Sequence, residues 1–302
     1  MGGFMGHFLV GIGFVLIGLW QSMNIICSFA RDPWNFKTRS WFAVNAFKGK
    51  LRYMELYAIM GGSLLFMASE LFILREKHHP LDDDLTIPLK NLKYFEHSTM
   101  TLFLFLYALL ARLLDAGDQD GGDEGGILPN GLAHLMGALA FSQELLLFHL
   151  HSTEHVGVEG HYHWLLQLVI LVCVLCMLME LSWPRSFLVV FVRTLAITFQ
   201  GVWLIQLGFL FVPFFAPKGC ELTEGPHGRM VVCDSDDAII RAKALATLQF
   251  SWYLAALVSS ALLALAYVIR HYATARKYHT IDAVVEECGK QKKVHEQMLS
   301  SY

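Results

Sequence analysis

Charge is what this sequence has least of. Asp, Glu, Lys and Arg make up only 16% of its 302 residues, while 55% are hydrophobic, and the mean hydropathy is +0.46. A water-soluble domain carries about a quarter of its residues as charged ones, so a soluble fold is excluded. The net charge of −3 has no basic surplus, which removes nucleic acid from the partners. The short alternating segments of a β-barrel are missing. No basic stretch precedes the first apolar run, MGGFMGHFLVGIGFVLIGLW, and no small-residue cleavage site follows it. The run therefore reads as a retained span rather than a secretory signal. Myristoylation fails at Gly6, where the motif wants Ser or Thr. Internal repeats are absent too.

Long apolar runs are what the chain does have. About 20 such residues cross a hydrocarbon core, and seven stretches meet that length: 5–29, 54–75, 94–114, 128–151, 161–182, 186–214 and 240–270. The fold class is all-α, a polytopic membrane protein built as a seven-transmembrane helix bundle. Residues 1–272 form the seven-span domain. Residues 273–302 form a polar tail, read as a short surface helix or unstructured chain. The link SWPRS is tight, because Pro184 disfavours helix at Trp183. The 215–239 stretch reads as a loop.

Orientation follows from Lys and Arg. The 30–53 loop carries Arg31, Lys37, Arg39, Lys48, Lys50 and Arg52, and the tail carries Arg270, Arg276, Lys277, Lys290, Lys292 and Lys293. Both fall on one side of a seven-span chain. That side is cytosolic, with the N-terminus lumenal or extracellular, in a Golgi, other endomembrane or plasma membrane. Cys220 and Cys233 then share an oxidising loop and are candidates for a disulfide. Cys27, Cys173 and Cys176 pack as small apolar residues.

The densest chemistry lies in ELLLFHLHSTEHVGVEGHYHWLLQLVI, residues 144–170. At about 100° per residue, Glu144 and His151 share a helical face, with His155 beside them if the helix continues. Glu159 and His163, four residues apart, share a face of the next span. Glu70 closes span two and His97 opens span three, so in the deduced orientation all of these meet in the outer half of the bundle. Ionisable residues inside a span are costly and mark function by default. A divalent cation would neutralise the acids and use the imidazole lone pairs. The ligand set is His97, Glu144, His151 and His163, with Glu70, Glu159 and His155 as additional ligands or as groups that orient the ligands. Zinc suits it best, then iron, manganese or copper. The inner halves of the same helices offer little beyond Glu55 and Arg193, and Arg193 is expected to snorkel. Gln200, Trp203 and Gln206 share a helical side and are read as packing before pocket lining.

The segments HLMGALAFSQELLLFHLHSTEHVGVEGHYHWLLQLVILV, FVRTLAITFQGVWLIQLGFLF, PKGC and RAKALATLQFSWYL resemble plant members of the transmembrane protein 45 family. It is also called the domain-of-unknown-function 716 family, and some plant members are labelled viral-response proteins. The resemblance implies a multi-pass membrane protein. It singles out Glu70, His97 with Thr99 and Met100, Glu144 with His151, and Glu159 with His163.

Three functions fit these residues. A metal-dependent enzyme would act on a lipid-like substrate with Glu144 or Glu159 as general base. A metal or proton-coupled transporter would use the same groups as a station. A non-catalytic scaffold would hold a structural metal or a metal-free His/Glu network. The expected partners are membrane lipid and a metal ion, with no protein partner indicated.

Overall fold

In the computed structural model, residues 3–44, 49–73, 81–120, 131–150, 157–225 and 228–299 are described. Seven helices follow in order among them: α1 (Phe4–Arg31), α2 (Met54–Ala68), α3 (Leu92–Asp120), α4 (Leu132–His149), α5 (Gly157–Ser182), α6 (Phe187–Phe209) and α7 (Asp236–Leu299). Between α6 and α7 stands a hairpin of β1 (Cys220–Gly225) and β2 (Gly228–Cys233). The fold is all-α apart from that hairpin. Among the described residues, six segments are long and apolar enough to cross a membrane: Phe4–Arg31, Leu51–Phe72, Leu92–Asp115, Gly157–Ser182, Phe187–Phe209 and Asp236–Tyr272. α4 falls outside this set because His134, Ser142, Gln143, Glu144 and His149 dilute its apolar residues over 18 positions.

Large side chains face both ways. Trp203, Phe199, Leu166, Ile170, Met177 and Leu207 are buried between α5 and α6 and their neighbours. Leu16, Leu65 and Leu263 are 63%, 72% and 73% exposed. A soluble protein does not tile its surface with such residues, whereas acyl chains accept them. These are the helices of a membrane protein.

The most extensive helix contact among the described residues is that of α1 with α6. A Cβ on Gly201 would lie 2.5 Å from the Gly11 carbonyl oxygen, and one on Gly18 would lie 2.6 Å from the Thr198 nitrogen. Only glycine permits backbones to approach this far, as in small-residue packing of membrane helices. α7 is different: none of its spanning window is buried, so it lies on the periphery.

Three sequence expectations change. The 215–239 loop contains an antiparallel hairpin whose end residues, Cys220 and Cys233, are register partners joined by a disulfide. Gly219, at φ +83°, turns the chain into it and lets its carbonyl accept from the Asp234 N–H at 2.9 Å. The tail is neither short helix nor unstructured, because α7 runs unbroken to Leu299.

Arg193 does not snorkel. It is 1% exposed and lies at the centre of a buried network. Its Nε donates to Glu180 Oε1 at 2.5 Å, Nη1 to Gln21 Oε1 at 2.8 Å and Nη2 to the Arg39 carbonyl at 2.8 Å. Gln21 Nε2 donates to Glu55 Oε1 at 2.7 Å, and Glu55 Oε2 accepts from Trp20 Nε1 and the Phe42 N–H. His134 Nε2 is 3.1 Å from Glu180 Oε2, an ion-pair distance without hydrogen-bond alignment. This end of the bundle, opposite Glu70 and Glu159, is therefore richer in polar residues than Glu55 and Arg193 alone.

Candidate functional site

Each helix delivers its polar residue at one end of the bundle. α2 finishes in a π turn over Ser69–Ile73 that contains Glu70. Such turns add a residue to the helical circuit and recur at functional sites. Here Glu70 is 1% exposed, and its Oε2 accepts from His97 Nδ1, near the start of α3, at 3.3 Å. Glu144 lies one turn before Phe148 on α4, and both are buried. Glu144 Oε1 accepts from Gln200 Nε2 of α6 at 2.6 Å, while Oε2 has no hydrogen-bond partner among the described residues.

His163 and Glu159 share a buried face of α5, but their bond runs through the backbone. His163 Nδ1 donates to the Glu159 carbonyl oxygen at 3.0 Å. The Glu159 carboxylate turns instead to the hairpin, where Oε1 accepts from the Val231 N–H at 2.6 Å. An acid in the first turn of a helix also sits well with the helix dipole. Glu159 thus ties β2 to the start of α5.

A cavity of ≈ 60 Å³ lies among these helices. His7, His97, Thr101 and Glu144 are its polar lining, and Phe14, Phe66, Met100, Phe148 and Leu204 supply most of the rest. It has room for an ion with a few waters and is far below the roughly 300–1,000 Å³ of small-molecule pockets. His7 is new to the set. It is buried on α1, its Nδ1 donates to the Gly3 carbonyl at 3.0 Å, and its ring centre is 5.9 Å from that of His163.

A common orientation emerges. His7, His97 and His163 each present Nδ1 to an oxygen. His149 has a similar bond to Gln167 Oε1, yet it is exposed, so orientation alone does not make a site. His161 bonds Thr247 of α7, on the opposite side of α5. His151 and His155 lie outside the described residues. Among the described residues, no three His, Cys, Asp or Glu side chains are grouped closely enough to hold a metal ion.

Sequence reasoning missed His7 and read Gln200 as packing before pocket lining. His7 stands alone in an apolar run, so nothing in its spacing marks it. Gln200 had a usable signal, an amide facing inward one turn before Trp203.

Fold and site together define an all-α membrane protein with a buried imidazole and carboxylate cavity at one end of its bundle. The sequence model of a family of unknown function, DUF716, matches residues 130–267. That stretch takes in α4, α5, α6, the hairpin and most of the spanning part of α7, hence Glu144, Glu159, His163 and Gln200. It leaves out α1 to α3 and with them His7, Glu70 and His97.

Proposed function

We propose that this chain is a seven-span, metal-binding membrane protein of the transmembrane protein 45 type, of the plant viral-response kind. α4 is the seventh span, kept short and polar by the site it carries. The basic 30–53 loop and tail are cytosolic, and the cavity opens toward the lumenal or extracellular face of a Golgi, other endomembrane or plasma membrane. A divalent transition metal, zinc before iron, manganese or copper, binds among His97, Glu144, His151 and His163.

One observation carries this reading. A buried carboxylate oxygen, Glu144 Oε2, has no described partner in a cavity that also holds His97, whose Nδ1 is engaged by Glu70. Metal-binding histidines are typically held in this way by a carboxylate or carbonyl on the other ring nitrogen. Glu70 and the Glu159 carbonyl are thus orienting groups. The cavity's size favours an ion over a lipid headgroup, so we favour binding or passage of the metal over a reaction on a lipid-like substrate. If there is chemistry, Glu144 is the base, since Glu159 Oε1 is engaged by the hairpin.

A metal-free His/Glu network is the second reading, favoured by the lack of three converging donors among the described residues. Metal content of protein purified without chelator decides between them. Near-stoichiometric zinc is expected, falling by about tenfold or more in affinity in Glu144→Gln, and weakening as pH drops because protons compete for the ligands. Metal-free protein that regains none on incubation with zinc would leave the network.

A further inference from the structure

We propose that the loop after α1 and the short link between α5 and α6 together form a receptor for an anionic membrane lipid whose headgroup carries a phosphomonoester. This is independent of the metal reading and takes from the section above only the leaflet, the cytosolic one. Three exposed cations carry it: Lys37, Arg39 and Arg185. None of the three is in an ion pair with a described residue. The Thr38 N–H donates to the Pro184 carbonyl at 2.7 Å, and this bond brings the two segments together. Lys37 and Arg39 flank Thr38, while Trp183 and Arg185 flank Pro184.

The loop is held in one shape from beneath. The Arg39 carbonyl accepts from Arg193 Nη2 at 2.8 Å and the Ser40 carbonyl from the Tyr107 hydroxyl at 2.6 Å. The Phe42 N–H donates to Glu55 Oε2 at 2.8 Å. Phe36, 4% exposed, sets its ring against Phe29 of α1 and Phe187 of α6, each with centroids 5.8 Å apart. Lys37 and Arg39 therefore stand on a backbone anchored on both sides. A floppy basic segment must be ordered when it binds, whereas this one is ordered already.

Nearby acids do not cancel these charges. Asp32 accepts from the Asn35 N–H at 3.2 Å and from Asn35 Nδ2 at 2.8 Å, and Glu180, 1% exposed, is turned inward to Arg193. Trp34 and Trp183, beyond the ends of α1 and α5, are 89% and 57% exposed. Tryptophan rings at span ends sit among lipid headgroups, and basic pockets between helix ends on the cytosolic side take anionic ones. A zwitterionic headgroup brings a cation of its own and matches three unpaired cations poorly. A phosphomonoester brings extra negative charge and oxygens that arginine grips through paired N–H groups.

The competing account is diffuse attraction between any basic loop and any anionic lipid. Full-length protein in detergent is mixed with phosphatidylcholine, phosphatidylserine or a phosphatidylinositol monophosphate, and bound lipid is counted by native mass spectrometry. The phosphoinositide is expected to bind about tenfold or more tightly than phosphatidylcholine, with phosphatidylserine between them. Lys37→Gln, Arg39→Gln and Arg185→Gln should each weaken it about fivefold, and the triple variant about a hundredfold. All three side chains are exposed, so the variants should keep the helical circular dichroism of wild type. Lys218→Gln, an equal loss of charge at an exposed site past the far end of α6, should change nothing.

A triple variant that binds the phosphoinositide like wild type overturns the proposal, as does an equal loss in Lys218→Gln. Phosphatidylserine bound as tightly as the phosphoinositide leaves only diffuse attraction and overturns it too. Soluble inositol bisphosphate separates a lipid from a free phosphate. Displacement of the lipid only at large excess supports the lipid assignment, and displacement at equal concentration overturns it.

Discussion

Removing Glu180 should destabilise this protein more than removing Arg193, although the two form one ion pair. Arg193 is 1% exposed and makes three bonds, to Glu180 Oε1, Gln21 Oε1 and the Arg39 carbonyl. A guanidinium cannot shed its charge in a protein, whereas a carboxyl can take up a proton. Glu180→Leu therefore strands a full positive charge beside two neutral acceptors, at a cost of about 3–5 kcal/mol. Arg193→Met leaves Glu180 with His134 3.1 Å away and a route to neutrality, and it costs mainly the lost hydrogen bonds, about 2–3 kcal/mol. The double variant should be close to Arg193→Met alone, so the cycle should yield a coupling near the full cost of Glu180→Leu, about 3–5 kcal/mol. Reversible unfolding in mixed micelles, with a denaturing detergent as the titrant and helical circular dichroism as the signal, measures all four proteins. Additivity within about 0.5 kcal/mol, or a Glu180→Leu protein as stable as Arg193→Met, would refute the reasoning.

Other consequences follow from the packing and the hairpin. Gly201→Ala puts a methyl 2.5 Å from the Gly11 carbonyl oxygen and the Val15 nitrogen, both backbone atoms. It should lose about 1–3 kcal/mol in the same assay. Gly61→Ala, with nothing within 4 Å of the new methyl, should instead gain about 0.5–1 kcal/mol; equal effects at the two sites would remove α1–α6 contact as the cause. Replacing Cys220 and Cys233 by serine opens a loop with a sequence separation of 13, worth about 3 kcal/mol. Because the hairpin stands between α6 and α7, amide exchange should rise in β1, β2 and the first turn of α5, where Glu159 grips Val231. A uniform rise across all helices would contradict that locality.

How much of this was readable from residues alone depends on where each signal came from. Six of the seven expected spans were legible because lipid demands length and apolarity, and neither depends on tertiary detail. The meeting of His97 and Glu144 in one cavity was legible from alternating helix direction. Arg193 was misread because position near a span end is compatible with either snorkelling or inward pairing. The choice was made by Glu180, thirteen residues earlier, and by Gln21, 172 residues away. The hairpin was hidden in a short polar stretch, CELTEGPHGRMVVC, though its two cysteines and central glycine were the marks of one. His7 could not be found from spacing, since its partners lie on α5 and after α6.

The two buried polar centres differ in how they hold a carboxylate. Around Arg193, the guanidinium has three described partners, and the Glu180 oxygen that makes no hydrogen bond has the His134 ring 3.1 Å away. Around Glu144, Gln200 holds one oxygen, and the other has no hydrogen-bond partner among the described residues. An unmet polar group in a membrane interior costs several kcal/mol, so the Glu144–Gln200 pair is expected to cost stability rather than add it. Replacing Glu144 and Gln200 together by leucine should then raise resistance to unfolding in metal-free protein, by about 1–4 kcal/mol, as apolar replacement of buried polar pairs often does. The same variant should lose zinc. A double variant less stable than wild type would instead make Glu144 and Gln200 a structural clamp, and the vacancy at Oε2 would be a detail of packing rather than a sign of use.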